Sequence, residues 1–379
     1  MVVKVLYDHQ IFSLQKWGGI SRYYLELLNR YHMDPDLEIH LAIGESKNQE
    51  VKGTEVFIRD ALIPNGLRKT MMAVTSRVTG WDLIYKTNMN IGRKFLDQQN
   101  FDIFHPTYYD PYFLEHLGRK PFYLEVHDMI HEVYPEFFSL SSRIPEWKRE
   151  ILDRADIITT VSESTKKDLM LFYNVEPSRI QVIHQGCSLD PTKSSPSDFP
   201  LKSPSNYVLY VGSRTLYKNF YLFAEAMAKL MKIDKELIIV CAGAQPLTEE
   251  ELRFLARLGI KDRVHHVIVN DSTLCQLYSH AKAFVFPSLY EGFGLPVLEA
   301  FTCGCPEVLS NVSSLPEIGG DAAIYFEPKD ITSMSDAISK VIYDEKVRAK
   351  LIEKGRHRIE GFSWDITAKK TKATYLRMV

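Results

Sequence analysis

Residues 286–301 read FPSLYEGFGLPVLEAF, and this stretch decides how the chain is built. An apolar run ends at Phe286, a Gly292-Phe293-Gly294 turn follows, and Pro296 opens a helical pattern. Proline suits a first helical position, because the N–H it lacks would have no intrahelical partner there. Strand, glycine turn and helix in that order make one step of a parallel α/β sheet, and ligands of such sheets bind beyond the carboxyl ends of the strands. Two carboxylates, Glu291 and Glu299, flank the turn with seven residues between them. Free amides at the helix start suit a phosphate. Glu299 suits a polyol, since one carboxylate accepts two hydroxyl hydrogen bonds. A plainer role for Glu299, an acid favoured near a helix N-terminus, fits the same spacing.

The same step recurs along the chain. VVKVLYD, EIHLAIG, EVFIRD, FDIFHP, FYLEVHD, ADIITTVS and IQVIHQG read as strands of a first half. YVLYVG, ELIIVCAG, VHHVIV, AFVFPS, PEVLS and AIYFEP read as strands of a second. Helix-length amphipathic segments separate them, which is the signature of parallel α/β architecture. One of these, LTEEELRFLARLGI, begins with a capping box formed by Thr248 and Glu251. Residues 190–205, DPTKSSPSDFPLKSPS, are too rich in proline and serine to build a core and read as a linker. The expected architecture is two Rossmann-like parallel α/β domains facing each other across a cleft.

Composition narrows the function classes. At 379 residues the chain is too long for one ordinary core. Its 45% apolar and 25% charged residues are those of a globular protein, and a net charge of −2 argues against coating nucleic acid. No apolar run is long enough to span a bilayer. MVVKVLYDHQIF lacks the basic start and small-residue site of a signal peptide, so a cytoplasmic location is expected. Cys187, Cys241, Cys275, Cys303 and Cys305 include no CxxC pair and read as reduced thiols.

Three further segments follow strands. In KWGGISRYYLELL, residues 16–28, Gly18 and Gly19 precede a helix, where backbone can approach an anion closely. A tight turn without a ligand fits that segment equally, and its spacing is not that of GxGxxG. In LEVHDMIHEVYPE, His127 and His131 stand four apart, but Pro135 and the lack of a third ligand argue against a metal. In YVLYVGSRTLYKNF, residues 207–220, Arg214 and Lys218 lie between a strand and a helix and suit a diphosphate clamp. Asp34-Pro35-Asp36 reads as a turn, so no metal is expected in the chemistry.

The stretch PSLYEGFGLPVLEA resembles the E-x7-E signature of retaining glycosyltransferases of the GT-B fold, in the large group called family 4. GGISRY, EVHDMI, TVSESTKKDL, VGSRTLYKN, SSLPEIGGDAAIYFEP and FSWDITAKKTKATYL recur in that group in the same order, so the resemblance covers nearly the whole chain. It implies an acceptor-side domain at 1–189, the linker at 190–205, a nucleotide-sugar domain at 206–362, and a C-terminal helix, 363–379, crossing back to the first domain. It further implies that Glu299 holds the ribose and Glu291 contacts the donor sugar. Backbone amides of Phe293, Gly294 and Leu295 would touch sugar and phosphates, with Gly18 and Gly19 against the same phosphates. Lys218 and Arg214 would neutralise the leaving diphosphate without a metal, and His127 would lie near the sugar's 6-hydroxyl. A front-face mechanism needs no enzyme nucleophile. VGSR…YKNF and GGDAAIYFEP look most like the mannosyltransferase branch that builds surface polysaccharides, so GDP-mannose is the first donor expected and a UDP-hexose the second.

The pattern departs from the family in places. Ser213 stands where an arginine is common, with Arg214 one later; Glu307 stands where an apolar residue is usual, and Gln185 where asparagine is common. Nucleotide-sugar epimerases share the fold but would carry further acids and histidines for proton abstraction. A non-catalytic carbohydrate-binding relative would have lost Glu291, Lys218 or the glycine turn. For the acceptor, a glycan or lipid-linked glycan, residues 66–94 hold six cations against Asp82 alone, interleaved with apolar residues. Such a stretch suits the inner face of an anionic membrane, and a solvated helix face fits it as well.

Overall fold

A computed structural model describes residues 2–48, 50–51, 82–200 and 206–379. The strand expected at EVFIRD and most of the basic stretch 66–94 lie outside the described residues. The chain divides into two compact units, one made of Met1–Val161, Lys166–Gln185 and Trp364–Val379, the other of Ser162–Thr165 and Gly186–Ser363.

The first unit has strands β1 (Val3–Tyr7), β2 (Leu37–Leu41), β3 (Ile103–His105), β4 (Tyr123–Val126), β5 (Ile157–Thr160) and β6 (Ile180–Val182). They form parallel sets in the orders β2-β1-β3 and β4-β5-β6, joined by a parallel bridge between Phe104 and Phe122. β3 and β4 are buried at every position, as expected of strands covered on both faces. The helix Trp364–Met378 belongs to this unit, although 178 residues of the other unit precede it (186 to 363). Its Tyr375 hydroxyl lies 2.6 Å from that of Tyr7 and 2.5 Å from His105 Nδ1, while Tyr31 Oη donates to Ala368 O at 2.8 Å. Asp34 and Asp36 both receive Lys372 Nζ, at 2.6 and 2.8 Å, so the acidic turn anchors the last helix.

The second unit has β7 (Tyr207–Val211), β8 (Ile238–Ala242), β9 (Val264–Val267), β10 (Ala283–Phe286), β11 (Glu307–Ser310) and β12 (Ala323–Phe326). All pair in parallel, in the order β12-β11-β10-β7-β8-β9. Helices Phe220–Ile233 and Ile331–Tyr343 pack on the sheet through Phe223, Met227, Met334 and Ile338, all fully buried. Each such side chain contributes about 1.5–3 kcal/mol relative to exposure. The capping box forms as the sequence predicts: Thr248 Oγ1 accepts the Glu251 N–H at 3.2 Å, and Glu251 Oε2 accepts the Thr248 N–H at 2.7 Å. The proline-rich residues after 190 carry two 3-10 turns, Pro191–Lys193 and Pro196–Asp198. Those turns dock on the helix Asp271–His280, where Gln276 Nε2 donates to Ser194 Oγ at 3.0 Å. All five cysteines are free thiols.

Candidate functional site

In the second sheet the chain moves one way from β7 to β9 and the other way from β10 to β12, so its order reverses between β7 and β10. Ligands of doubly wound sheets bind beyond the carboxyl ends of the strands at such a reversal. The segment after β7 holds Lys218; the segment after β10 holds Glu291. Asn219, in the left-handed region at φ 57°, closes the short 3-10 turn Leu216–Lys218. A short polar side chain tolerates that conformation. Asn219 Nδ2 donates to Pro287 O at 3.0 Å and Pro328 O at 2.8 Å, and the Leu289 N–H donates to Tyr217 O at 2.7 Å. The two loops are thereby laced together.

Lys218 Nζ donates to Glu291 Oε1 at 2.5 Å, and Ser288 Oγ donates to the same oxygen at 2.6 Å. The lysine and glutamate side chains are 17% and 12% exposed. Lys218 Nζ also lies 5.3 Å from the Phe286 ring centre and 5.0 Å from that of Tyr217. An ammonium so held sets a fixed positive charge at a site where low exposure strengthens charge interactions.

The loop backbone is fastened as firmly. The Glu291 N–H donates to Ser313 Oγ at 2.9 Å; Ser314 Oγ reaches the carbonyls of Glu291 and Phe293 at 2.9 and 2.8 Å. Gly292 O accepts from Ser162 Oγ at 2.7 Å and Thr165 Oγ1 at 3.0 Å. These four hydroxyl residues carry no role in the sequence reading, although they lie in the TVSESTKKDL and SSLPEIGG strings that supplied the resemblance. Gly294 sits at φ 108°, and a Cβ there would meet Leu315 Cδ2 at 3.1 Å, so glycine is needed where the loop enters the helix Leu295–Thr302. Leu295 is the first helical residue, which puts Pro296 second rather than first. The Phe293 side chain is buried, edge-on to Phe362 at 6.2 Å. Glu299 stands half-buried on this helix, with Tyr278 Oη donating to its Oε2 at 3.2 Å.

Arg214 is engaged elsewhere. Its Nε donates to Glu251 Oε1 at 2.8 Å, and its Nη2 to the carbonyls of Gln245 and Pro246 at 2.8 and 2.7 Å. Its side chain is 4% exposed. The guanidinium thus ties the loop after β7 to the capping glutamate of the helix Glu249–Arg257.

The remaining candidates lie in the first unit. Gly18 caps the helix Gly19–Tyr31 with no side-chain hydrogen bond, and both glycines are exposed. His127 follows β4 and is buried, its N–H donating to Tyr109 Oη at 3.0 Å. Neither ring nitrogen has a hydrogen-bond partner among the described residues, and burial pushes the imidazole down to about 3. It is therefore a neutral ring at neutral pH, able to donate from one nitrogen and accept at the other. Two residues before it, Glu125 is buried; its Oε2 accepts from Thr159, from Tyr23 at 3.2 Å and from Tyr123 at 3.4 Å. Burial pushes its carboxyl up to about 8 against those hydrogen bonds. Nothing in the sequence pattern marks this acid, which sits in an otherwise apolar strand.

Comparison with known proteins agrees with this fold. The family model described as "Glycosyltransferase Family 4" matches residues 17–191, and that described as "Glycosyl transferases group 1" matches residues 192–358. O-antigen chain mannosyltransferase B of Escherichia coli is 28% identical over 374 residues, covering 94% of this chain and 95% of that protein. O-antigen chain mannosyltransferase RfbU of Salmonella typhimurium is 31% identical over 222 residues, 58% of this chain and 60% of its own. Among solved structures, sucrose-phosphate synthase of Thermosynechococcus elongatus superposes with a TM-score of 0.73 at 16% identity, covering 100% of this chain and 99% of its own. HepE of Anabaena, solved with UDP-glucose, gives 0.71 at 17% identity, covering 98% of both chains. The paired α/β sheets, the reversal that carries Lys218 and Glu291, and two abutting family matches agree: the chain belongs to the group 1, family 4 glycosyltransferases of the GT-B fold and is a hexosyltransferase of mannosyltransferase-like sequence.

Proposed function

We propose that the protein transfers a hexose, with retention, from a nucleoside diphosphate sugar to a glycan or lipid-linked glycan during surface polysaccharide synthesis, and that the donor is GDP-mannose. The observation that carries this reading is the Lys218–Glu291 pair at the strand reversal, with Glu299 on the helix that follows. Mannose is favoured by the O-antigen mannosyltransferases among the relatives. A UDP-hexose is the second reading, favoured by the UDP-glucose complex of HepE.

In this mechanism Lys218 binds the leaving diphosphate and stabilises its charge, without a metal. The loop amides of Phe293, Gly294 and Leu295 bind phosphate and sugar oxygens, and Glu299 holds the ribose hydroxyls. Glu291 is hydrogen-bonded by Lys218 and Ser288 at one oxygen, an arrangement that suits orienting the donor sugar and favours a front-face reaction over attack by this carboxylate. The departing phosphate takes the acceptor's proton. Neutral His127 is proposed to hydrogen-bond the sugar's 6-hydroxyl, and the amides at Gly18 and Gly19 to meet the phosphates. Among the described residues no helix is long and apolar enough to cross a membrane. A peripheral contact through residues 66–94 is proposed from their charge pattern, and liposome sedimentation after neutralising Arg68, Lys69 and Arg77 tests it.

The experiment for the whole reading is calorimetry with GDP, UDP and ADP in EDTA, followed by NMR of the anomeric configuration of the product. Tight binding of GDP alone, lost about ten-fold in Glu299→Ala, is expected. Binding of UDP alone selects the second donor; binding only after metal is restored overturns the metal-free mechanism.

A further inference from the structure

The first unit contains a cavity of about 520 Å³, within the roughly 300–1,000 Å³ usual for ligand pockets. It is lined by segments that follow β1, β2, β3 and β4, and so lies toward the carboxyl ends of this unit's strands. Its polar and aromatic walls are Gln15, Lys47, Tyr85, Tyr108, Asp110 and Trp147. None of these is among the residues singled out for the donor.

The acid in this wall is held in place from several directions. Asp110 Oδ2 accepts from Tyr85 Oη at 2.9 Å, and Oδ1 accepts from the Tyr112 N–H at 3.0 Å. Its own N–H donates to Gln10 Oε1 at 2.8 Å, and its carbonyl accepts from Gln10 Nε2 at 3.0 Å. Gln10 is fixed in turn by Asp8, whose Oδ1 accepts the Thr107 N–H at 2.8 Å. A carboxylate so ordered offers its remaining lone pairs at little further entropic cost. Burial and the Asp110 charge push the Tyr85 hydroxyl far above its ordinary range, so it stays a donor. Trp147, also in the wall, is half-buried, with the Arg143 guanidinium 5.5 Å from its ring centre.

Aromatic faces beside a carboxylate, an amide and one ammonium match a neutral ring that has an apolar C–H face and a rim of hydroxyls. A diphosphate would meet the Asp110 carboxylate, and among the described residues Lys47 is the one lining cation. We propose that this cavity is the acceptor's saccharide subsite, in which a hexose ring stacks on Trp147 and donates hydroxyl hydrogen bonds to Asp110. The proposal rests on the glycosyltransferase reading and gives the acceptor a sugar at the point of recognition, not merely a lipid phosphate.

Saturation-transfer NMR and tryptophan fluorescence on the full chain test it, with α-mannobiose as probe, each run with and without saturating GDP. Wild-type protein is expected to bind the disaccharide. Trp147→Ala and Asp110→Asn should each weaken that binding at least about ten-fold and raise the acceptor KM, while the dissociation constant for nucleoside diphosphate stays unchanged. Tyr85→Phe keeps the ring and removes one hydrogen bond to Asp110, so it should fall between them and wild type even if Asp110→Asn folds poorly. Unchanged saccharide binding in folded Trp147→Ala overturns the subsite, as does wild-type protein that binds nucleotide but no saccharide. Wild-type protein that binds neither overturns the glycosyltransferase reading itself.

Discussion

Lys218 and Glu291 are 73 residues apart in the chain, yet the ammonium and carboxylate meet at 2.5 Å. Adjacent parallel strands, β7 and β10, deliver them to the same end of the sheet. Removing the ammonium leaves a nearly buried carboxylate without its cation and takes away the charge proposed to meet the diphosphate. Lys218→Ala should therefore lower kcat about 10²–10³-fold, in the range of losing one preorganised donor, with a smaller rise in donor KM. Lys218→Arg should rescue only part of this, because a planar fork does not replace a point charge at 2.5 Å from Glu291. Steady-state kinetics decide it: turnover within a few-fold of wild type would remove Lys218 from the chemistry.

Arg214 has a structural tie that its place in the sequence pattern does not reveal. Its guanidinium is spent on Glu251 Oε1, while Glu251 Oε2 completes the capping box. Breaking a buried ion pair costs about 3–5 kcal/mol, because the surviving charge is left without compensation. Arg214→Ala should lose stability on that scale in denaturant unfolding, with kcat falling far less than in Lys218→Ala. The reverse result, intact stability and collapsed turnover, would return Arg214 to the diphosphate.

Much of the fold was legible because parallel strands announce themselves as short apolar runs between amphipathic helices, and every such run among the described residues is a strand here. The capping box was legible for the same reason: Thr248 and Glu251 act within one helical turn. What the sequence hides is lateral. Strand order decides that Lys218 faces Glu291, and no local pattern records that β7 lies beside β10. Nor does local pattern distinguish a loop arginine aimed at a ligand from one captured by a glutamate 37 residues on. Ser162 and Thr165 were visible as residues, but their partner, the Gly292 carbonyl, lies 130 and 127 residues away.

Glu307 is a different kind of departure. It begins β11, opposite Phe284 and Ala323, at the end of the sheet away from the loop that carries Glu291. It is fully buried, neither carboxylate oxygen has a partner among the described residues, and burial pushes its carboxyl well above the usual range. An unpartnered buried polar group costs about 1–3 kcal/mol. Glu307→Val should therefore raise thermal stability with kcat unchanged, and by more at pH 8 than at pH 5, since the folded state resists the ionisation that the unfolded chain undergoes. A loss of activity in a more stable variant would mean that this acid serves the reaction from a distance.

Glu125 makes the sharper pH prediction. Its ordinary value is 4.5, and burial raises it to about 8 in the folded protein. Below the lower value both states hold the proton, so the group has no effect on stability. Between the two values the unfolded chain releases the proton and the folded chain keeps it, so stability falls as pH rises, by about 1.4 kcal/mol per pH unit from this group. Above the higher value both states are ionised and the loss is complete. His9 and His127 act with the opposite sign: both are pushed from 6.5 to about 3 by burial, so their contribution is lost as pH falls below the higher value. The two effects oppose each other in mild acid and separate above it. Wild-type Tm should therefore decline between pH 6.5 and 8, and Glu125→Gln, which can still accept from Tyr23 and Thr159, should flatten that decline while leaving the acid limb in place. Parallel wild-type and Glu125→Gln profiles across that interval would show that the folded protein ionises Glu125 as readily as the unfolded chain does.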